Sequence, residues 1–120
     1  ISSWFRSEAA MPNVKIYIDE TCYDALRPAV SSLLPELRAM LCDRLEVASA
    51  ACQFAVLPVL ALHDQPRINV ELHVMPRPSR TRDRLEQVGR EMRDALSRIS
   101  GLTVAVRIAQ LDAATYVALK

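Results

Sequence analysis

The sequence predicts an α/β (α+β) fold, with two βαβ units forming a four-stranded mixed sheet and two helices on one face. Three observations carry this. Apolar residues alternate with polar ones over Asn13–Ile18, Arg67–Met75 and Thr103–Ala109, the period-two pattern of half-buried strands. Two stretches between them carry apolar residues at helical spacing. The order is β-α-β, then β-α-β, then a tail, and such units place their helices against one sheet face.

The elements follow in turn. In the first strand Val14, Ile16 and Ile18 point one way, and Asn13, Lys15 and Tyr17 the other. Thr21-Cys22-Tyr23-Asp24 resembles a capping box with Thr21 as N-cap. Leu26, Val30, Leu33, Leu34, Leu37, Leu41 and Leu45 form the first helical stripe, which persists through Pro28 and Pro35. An interior proline costs about 3 kcal/mol, so a kink or a restart is expected there, but because the stripe persists the stretch is read as one helical unit. Ala51–Leu62 reads as the second strand, with Pro58 marking an edge or bulge. His63-Asp64-Gln65-Pro66 reads as a turn. The third strand is the clearest, with Ile68, Val70, Leu72 and Val74 on one face. Ser79 or Thr81 caps the second helix, whose stripe is Leu85, Val88, Met92, Leu96 and Ile99 and whose stop is Gly101. The fourth strand carries Val104, Val106 and Ile108, and Thr115–Leu119 reads as a short final strand. The second sheet face would then present Lys15, Tyr17, Glu71, His73 and Arg107, a surface suited to an oligomer interface or a water-lined channel.

Bulk properties narrow the function. A chain of 120 residues, 51% apolar and 24% charged, suits one globular domain with a core of its own. The net charge of +1 gives no global attraction to nucleic acid or membrane. No apolar run approaches the ~20 residues of a membrane span. Three cysteines without a CxxC pair fit a reduced, cytoplasmic setting and no zinc site. Cys42 and Cys52 read as small buried hydrophobes rather than nucleophiles. Residues 1–10 differ from the rest and read as an N-terminal extension or arm, with the domain over 11–120. Met11 reads as an internal start, or the ten residues as a natural arm.

Met11-Pro12 followed at once by the strand Asn13-Val14-Lys15-Ile16, together with two βαβ units, resembles the tautomerase superfamily. That superfamily includes 4-oxalocrotonate tautomerase, 5-carboxymethyl-2-hydroxymuconate isomerase and macrophage migration inhibitory factor. Val70-Glu71-Leu72-His73-Val74-Met75-Pro76-Arg77, then Thr81, Asp83 and Gln87-Val88, resembles the second half of small uncharacterised bacterial proteins of that kind. So does Ala114-Thr115-Tyr116-Val117. The likeness runs from Met11 to about Lys120. It implies a homotrimer that needs no metal or organic cofactor and interconverts the enol and keto forms of a small carboxylate-bearing substrate.

In such proteins the proline after the initiator methionine does the chemistry. Once methionine is removed, its secondary amine is a base tuned near neutral pH by apolar walls and nearby cations. The resemblance assigns that role to Pro12. It assigns carboxylate binding to Arg77, because a guanidinium holds a carboxylate by two parallel hydrogen bonds. Arg107 and Lys15, on the polar sheet face, are second candidates, and Tyr116 is a hydrogen-bond donor from the tail. With residues 1–10 attached, Pro12 has an amide nitrogen and no basic lone pair. The first loop also departs from the pattern: Asp19-Glu20 follow the strand, and the nearest arginine, Arg27, lies within the helix.

Two other function classes compete. One is a non-enzymatic trimeric binding or interaction module on the same scaffold, with Trp4-Phe5 as an anchor for a neighbour. The other is nucleic-acid binding through Arg77, Arg80, Arg82 and Arg84. Against it stand the interleaved Asp83 and Glu86, the missing aromatic platform and a pI near 7.9. No nucleic-acid or membrane partner is expected.

Overall fold

The computed structural model describes residues 12–119, so the arm expected over residues 1–10 lies outside the described residues. Four strands form one sheet, β1 (Asn13–Asp19), β2 (Gln53–Val59), β3 (Ile68–Val74) and β4 (Val104–Gln110), in the order β2-β1-β3-β4. Helix α1 (Glu20–Leu45) joins β1 to β2, and α2 (Arg82–Ser100) joins β3 to β4. Each βαβ unit pairs its own strands in parallel, and β1 and β3 meet antiparallel at the centre. This is the mixed sheet the sequence predicts.

Alternation decides which face is covered. Val14, Ile16, Ile18, Ile68, Val70, Leu72 and Val74 are fully buried. They share one core with Val30, Leu33, Leu37, Leu41 and Leu45 of α1 and with Val88, Met92 and Leu96 of α2. Both helices therefore pack on the same side. Each fully buried side chain of this size contributes roughly 1.5–3 kcal/mol. The opposite face presents Lys15, Tyr17, Glu71, His73 and Arg107, as expected. Lys15, Glu71 and Arg107 lie in one row across three strands. A hydrogen bond to Glu71, then burial, raises the Tyr17 phenol above its usual pKa.

Four expectations change. The N-cap of α1 is Asp19, not Thr21: its carboxylate accepts from the Thr21 amide at 2.9 Å and the Thr21 hydroxyl at 2.7 Å. A carboxylate is drawn to a helix start, and Arg67 fixes this one with an ion pair at 2.9 Å. Second, neither proline restarts the helix: α1 is continuous through Pro28 and Pro35, the one helical unit expected. Both prolines are exposed, as are Asp24 and Ser31 four residues before them, so water takes up the two carbonyls left unbonded. Third, β2 is shorter than expected, because a 3-10 turn over Ser49–Ala51 precedes it. Fourth, residues 115–119 form no strand. Asp112 instead collects the amides of Ala114, Thr115 and Tyr116 in a local turn.

Other boundaries match. Thr81 caps α2, and Gly101 ends it at φ 69°, where only glycine is unstrained. β2 is an edge strand carrying Pro58. Because the Gln53 amide points at β1, the alternate position 58 points outward, and its missing N–H costs no ladder bond. The helices are also joined by Arg44, whose Nε and Nη2 donate to the two Glu91 oxygens at 2.9 and 2.8 Å. No helix among the described residues is long and apolar enough to cross a membrane.

Two carboxyls make stability pH-dependent. The hydrogen bonds from Thr21, then Arg67, hold Asp19 below its usual pKa, and Arg44 does the same for Glu91. Both contributions are complete above the unfolded values near pH ~4 and are lost as pH falls through the lower folded values. Urea unfolding from pH ~6 to ~3 is expected to show falling stability, with a shallower fall in Asp19→Asn. Gly101→Ala is expected to lose about 1 kcal/mol or more, read from the same curves.

Candidate functional site

The antiparallel contact between β1 and β3 brings the start of one to the end of the other. Asn13 lies opposite His73, so one step outward sets Pro12 level with Val74. The Pro12 carbonyl accepts from the Gln53 amide at 3.0 Å, and the Val74 carbonyl from the Leu111 amide at 2.8 Å. Pro12 thus sits at an end of the sheet built from four chain segments, and it is buried. Strand alternation puts it on the helix-covered side with Val14, level with Cys52 and Gln110.

The chain leaving β3 turns over this end. Arg80 donates its amide to the Arg77 carbonyl at 2.9 Å, closing a turn ahead of α2. Its side chain folds inward and is only 3% exposed. Nη1 donates to the Met75 carbonyl at 2.6 Å and Nη2 to the Leu45 carbonyl at 3.3 Å. Nε is buried and has no hydrogen-bond partner among the described residues. Burial, then the charge of Arg77, pulls the Arg80 pKa below its usual value, but a guanidinium starting above 12 stays charged at neutral pH. Arg77 itself is exposed. The Arg80 carbonyl accepts from Gln110 Nε2 at 3.0 Å, tying the turn to the last residue of β4.

The expected site residues separate into two groups. Pro12 and Arg77 belong to the same end of the sheet. Lys15 and Arg107 lie on the open face, away from the side that Pro12 shares with the core. There Lys15 donates to Asn13 Oδ1 at 2.8 Å and Arg107 to Asn69 Oδ1 at 3.3 Å. Within one chain the structure does not bring them to Pro12. Tyr116 lies on the tail beyond β4, 43% exposed.

The four clustered arginines serve different ends. Arg82 pairs with Glu86 at 3.0 Å, and Arg84 donates to the Arg44 carbonyl at 2.8 Å, across to the end of α1. Arg80 is buried while Arg77 and Arg82 are exposed, and Arg80 and Arg82 line one groove beside α2. Arg80 is the residue that sequence reasoning placed wrongly, as part of that cluster. The available signal was position: it immediately precedes the Thr81 cap, and the Pro76–Pro78 turn directs the chain across the sheet end.

A groove of about 770 Å³ runs between α2 and β4, with Leu85, Gly89, Val106 and Ile108 inside and Arg90 and Arg107 along it. Among the described residues no group of three or more His, Cys, Asp or Glu side chains could hold a metal ion.

Arg80→Ala would leave the Met75 and Leu45 carbonyls buried without donors. It is expected to lower unfolding free energy by about 2 kcal/mol, whereas exposed Arg77→Ala should change it by no more than about 0.5 kcal/mol. Urea denaturation of the two variants checks the contrast.

No protein-family model matches the chain, and no curated protein matches it by sequence. Solved structures do. A protein of unknown function from Vibrio cholerae superposes with a TM-score of 0.72 at 22% identity, covering 96% of this chain and 88% of its own. A 5-carboxymethyl-2-hydroxymuconate isomerase from Deinococcus radiodurans gives 0.67 at 16% identity, covering 92% and 90%. A macrophage migration inhibitory factor-like protein from Entamoeba histolytica gives 0.60 at 10% identity, covering 84% and 89%. With its paired βαβ units in the order β2-β1-β3-β4, this chain carries the fold of the tautomerase superfamily.

Proposed function

We propose that the chain, when it begins at Pro12, is a cofactor-independent tautomerase or isomerase acting on a small carboxylate-bearing enol or ketone. The observation that carries this is the arrangement at one sheet end: a buried Pro12, the exposed Arg77 guanidinium, and Arg80 with a buried Nε that has no partner among the described residues. The likeness to a 5-carboxymethyl-2-hydroxymuconate isomerase supports the reaction class.

The chemistry follows from these groups. A free Pro12 nitrogen is a secondary amine, and its apolar surroundings with two arginines nearby disfavour the protonated form. It takes the enol proton and returns a proton to carbon. Arg77 holds the substrate carboxylate. Arg80, already charged and fixed by two carbonyls, stabilises negative charge developing on the enolate oxygen without having to reorganise. In a chain that continues before Pro12 the nitrogen is an amide, and these steps do not occur.

A homotrimer is part of the proposal, and a fused 4-OT asymmetric trimer with the same fold supports it. In it Lys15, Arg107 and Tyr116 would meet a neighbouring copy. Exposed Leu60, Leu62, Val117 and Leu119 also favour association, and they are the observation behind the second reading, a trimeric interaction module without catalysis.

Assay of a chain starting at Pro12, with a phenylpyruvate-type enol as substrate, separates the two. Activity is expected to fall about 100-fold in Pro12→Ala. In Arg77→Ala, KM is expected to rise about tenfold. Rate is expected to fall as pH drops through the amine pKa, below ~7.7. Activity unchanged in Pro12→Ala would overturn the mechanism. A trimer by light scattering that is inactive even when it starts at Pro12 would establish the module.

A further inference from the structure

We infer that Cys42 and Cys52 form a redox-active dithiol that closes to an intrachain disulfide, a modification site adjoining the Pro12 end of the sheet. Their Sγ atoms lie 3.7 Å apart, although the residues are ten positions apart on different elements. Cys42 sits in the last turn of α1, and Cys52 immediately precedes β2. The segment between them is already folded back by the 3-10 turn over Ser49–Ala51 and by amide bonds from Val47 to Cys42 and from Cys52 to Ser49. Most of the loop-closure entropy of a disulfide is therefore spent in folding. A bond of about 2.05 Å requires the sulfurs to approach by less than 2 Å. Neither sulfur faces a competing thiol, since Cys22 lies at the far end of α1.

The two thiols differ in a way that orders the reaction. Cys42 is half-buried and reachable, and Cys52 is buried. Burial, then the hydrogen bond with Cys42, pushes the Cys52 thiol up to about 12, while Arg38 and Arg80 act the other way. With a small-molecule disulfide as oxidant, the Cys42 thiolate attacks one of its sulfurs and releases one thiol. Cys52 then gives up its proton, and its sulfur displaces the second thiol from Cys42. The protein loses two protons and two electrons, which the oxidant takes up as it becomes two thiols. The hydrogen bond that held Cys52 protonated is gone once Cys42 is in mixed-disulfide form, which favours the second step.

Location gives the site its interest. Cys52 lies level with Pro12 across the β1–β2 ladder, and the next residue, Gln53, holds the Pro12 carbonyl. The bond would pin the start of β2 to the end of α1, beside Arg80.

The test equilibrates the full chain with reduced and oxidised glutathione, then applies acid quench, alkylation and peptide mass mapping. The same chain in guanidinium chloride is the reference. The expected result is a Cys42–Cys52 disulfide with Cys22 alkylated, formed at least about tenfold more favourably in the native chain, equal to about 30 mV in reduction potential. Cys22→Ser is expected to oxidise as the parent does. A native chain that oxidises no more readily than the denatured one overturns the inference, as does pairing through Cys22 or persistent glutathione adducts on both thiols.

Discussion

The antiparallel pairing of β1 with β3 is the contact on which the rest of the molecule depends. Each strand is completely apolar on one face, and together they form the floor on which both helices lie. Neither βαβ unit buries that face alone. Joining them through their first strands closes the core and sets a polarity: where β1 begins, β3 ends. Pro12 and the Arg77–Arg80 turn share one end of the sheet for this reason, although they are more than sixty residues apart in sequence.

Burial of Arg80 follows from the same geometry. The turn that carries it crosses the sheet end where α1 terminates, and two main-chain carbonyls there have no other donor among the described residues. One guanidinium reaches both. A lysine has a single nitrogen and could not bridge them in the same fork-like way. The charge kept inside the fold is thus held by peptide oxygens, with no carboxylate in ion-pair contact among the described residues.

Much of the fold was legible because the strands alternate cleanly and the helical stripes are long. Gly101 announced its end correctly, and of the two caps offered, Ser79 and Thr81, the structure uses Thr81. The misreadings have local physical causes. Thr21 and Asp19 are both good caps, and the ion pair to Arg67, just ahead of β3, adds a tertiary contact that favours Asp19. The long apolar stripe outweighed Pro28 and Pro35 in reading one helical unit, and only the restart dropped out, because both prolines lie on the exposed side. Thr115–Leu119 has strand-forming residues but no partner strand. The site was harder to read. Pro12 and Arg77 were named by resemblance, and the structure sets them at the same end of the sheet; the inward turn of Arg80 and the meeting of Cys42 with Cys52 are tertiary facts with no periodic signature.

Pro58 makes the two borders of the sheet unequal. Of the outward-facing groups on β2, position 58 offers a carbonyl but no N–H, whereas β4 has no proline along its length. A strand laid against β4 can complete a ladder that one laid against β2 cannot, a difference of about 1 kcal/mol for a single hydrogen bond. The sheet therefore has a receptive margin and a guarded one, and growth by indefinite strand stacking meets a gap in every copy.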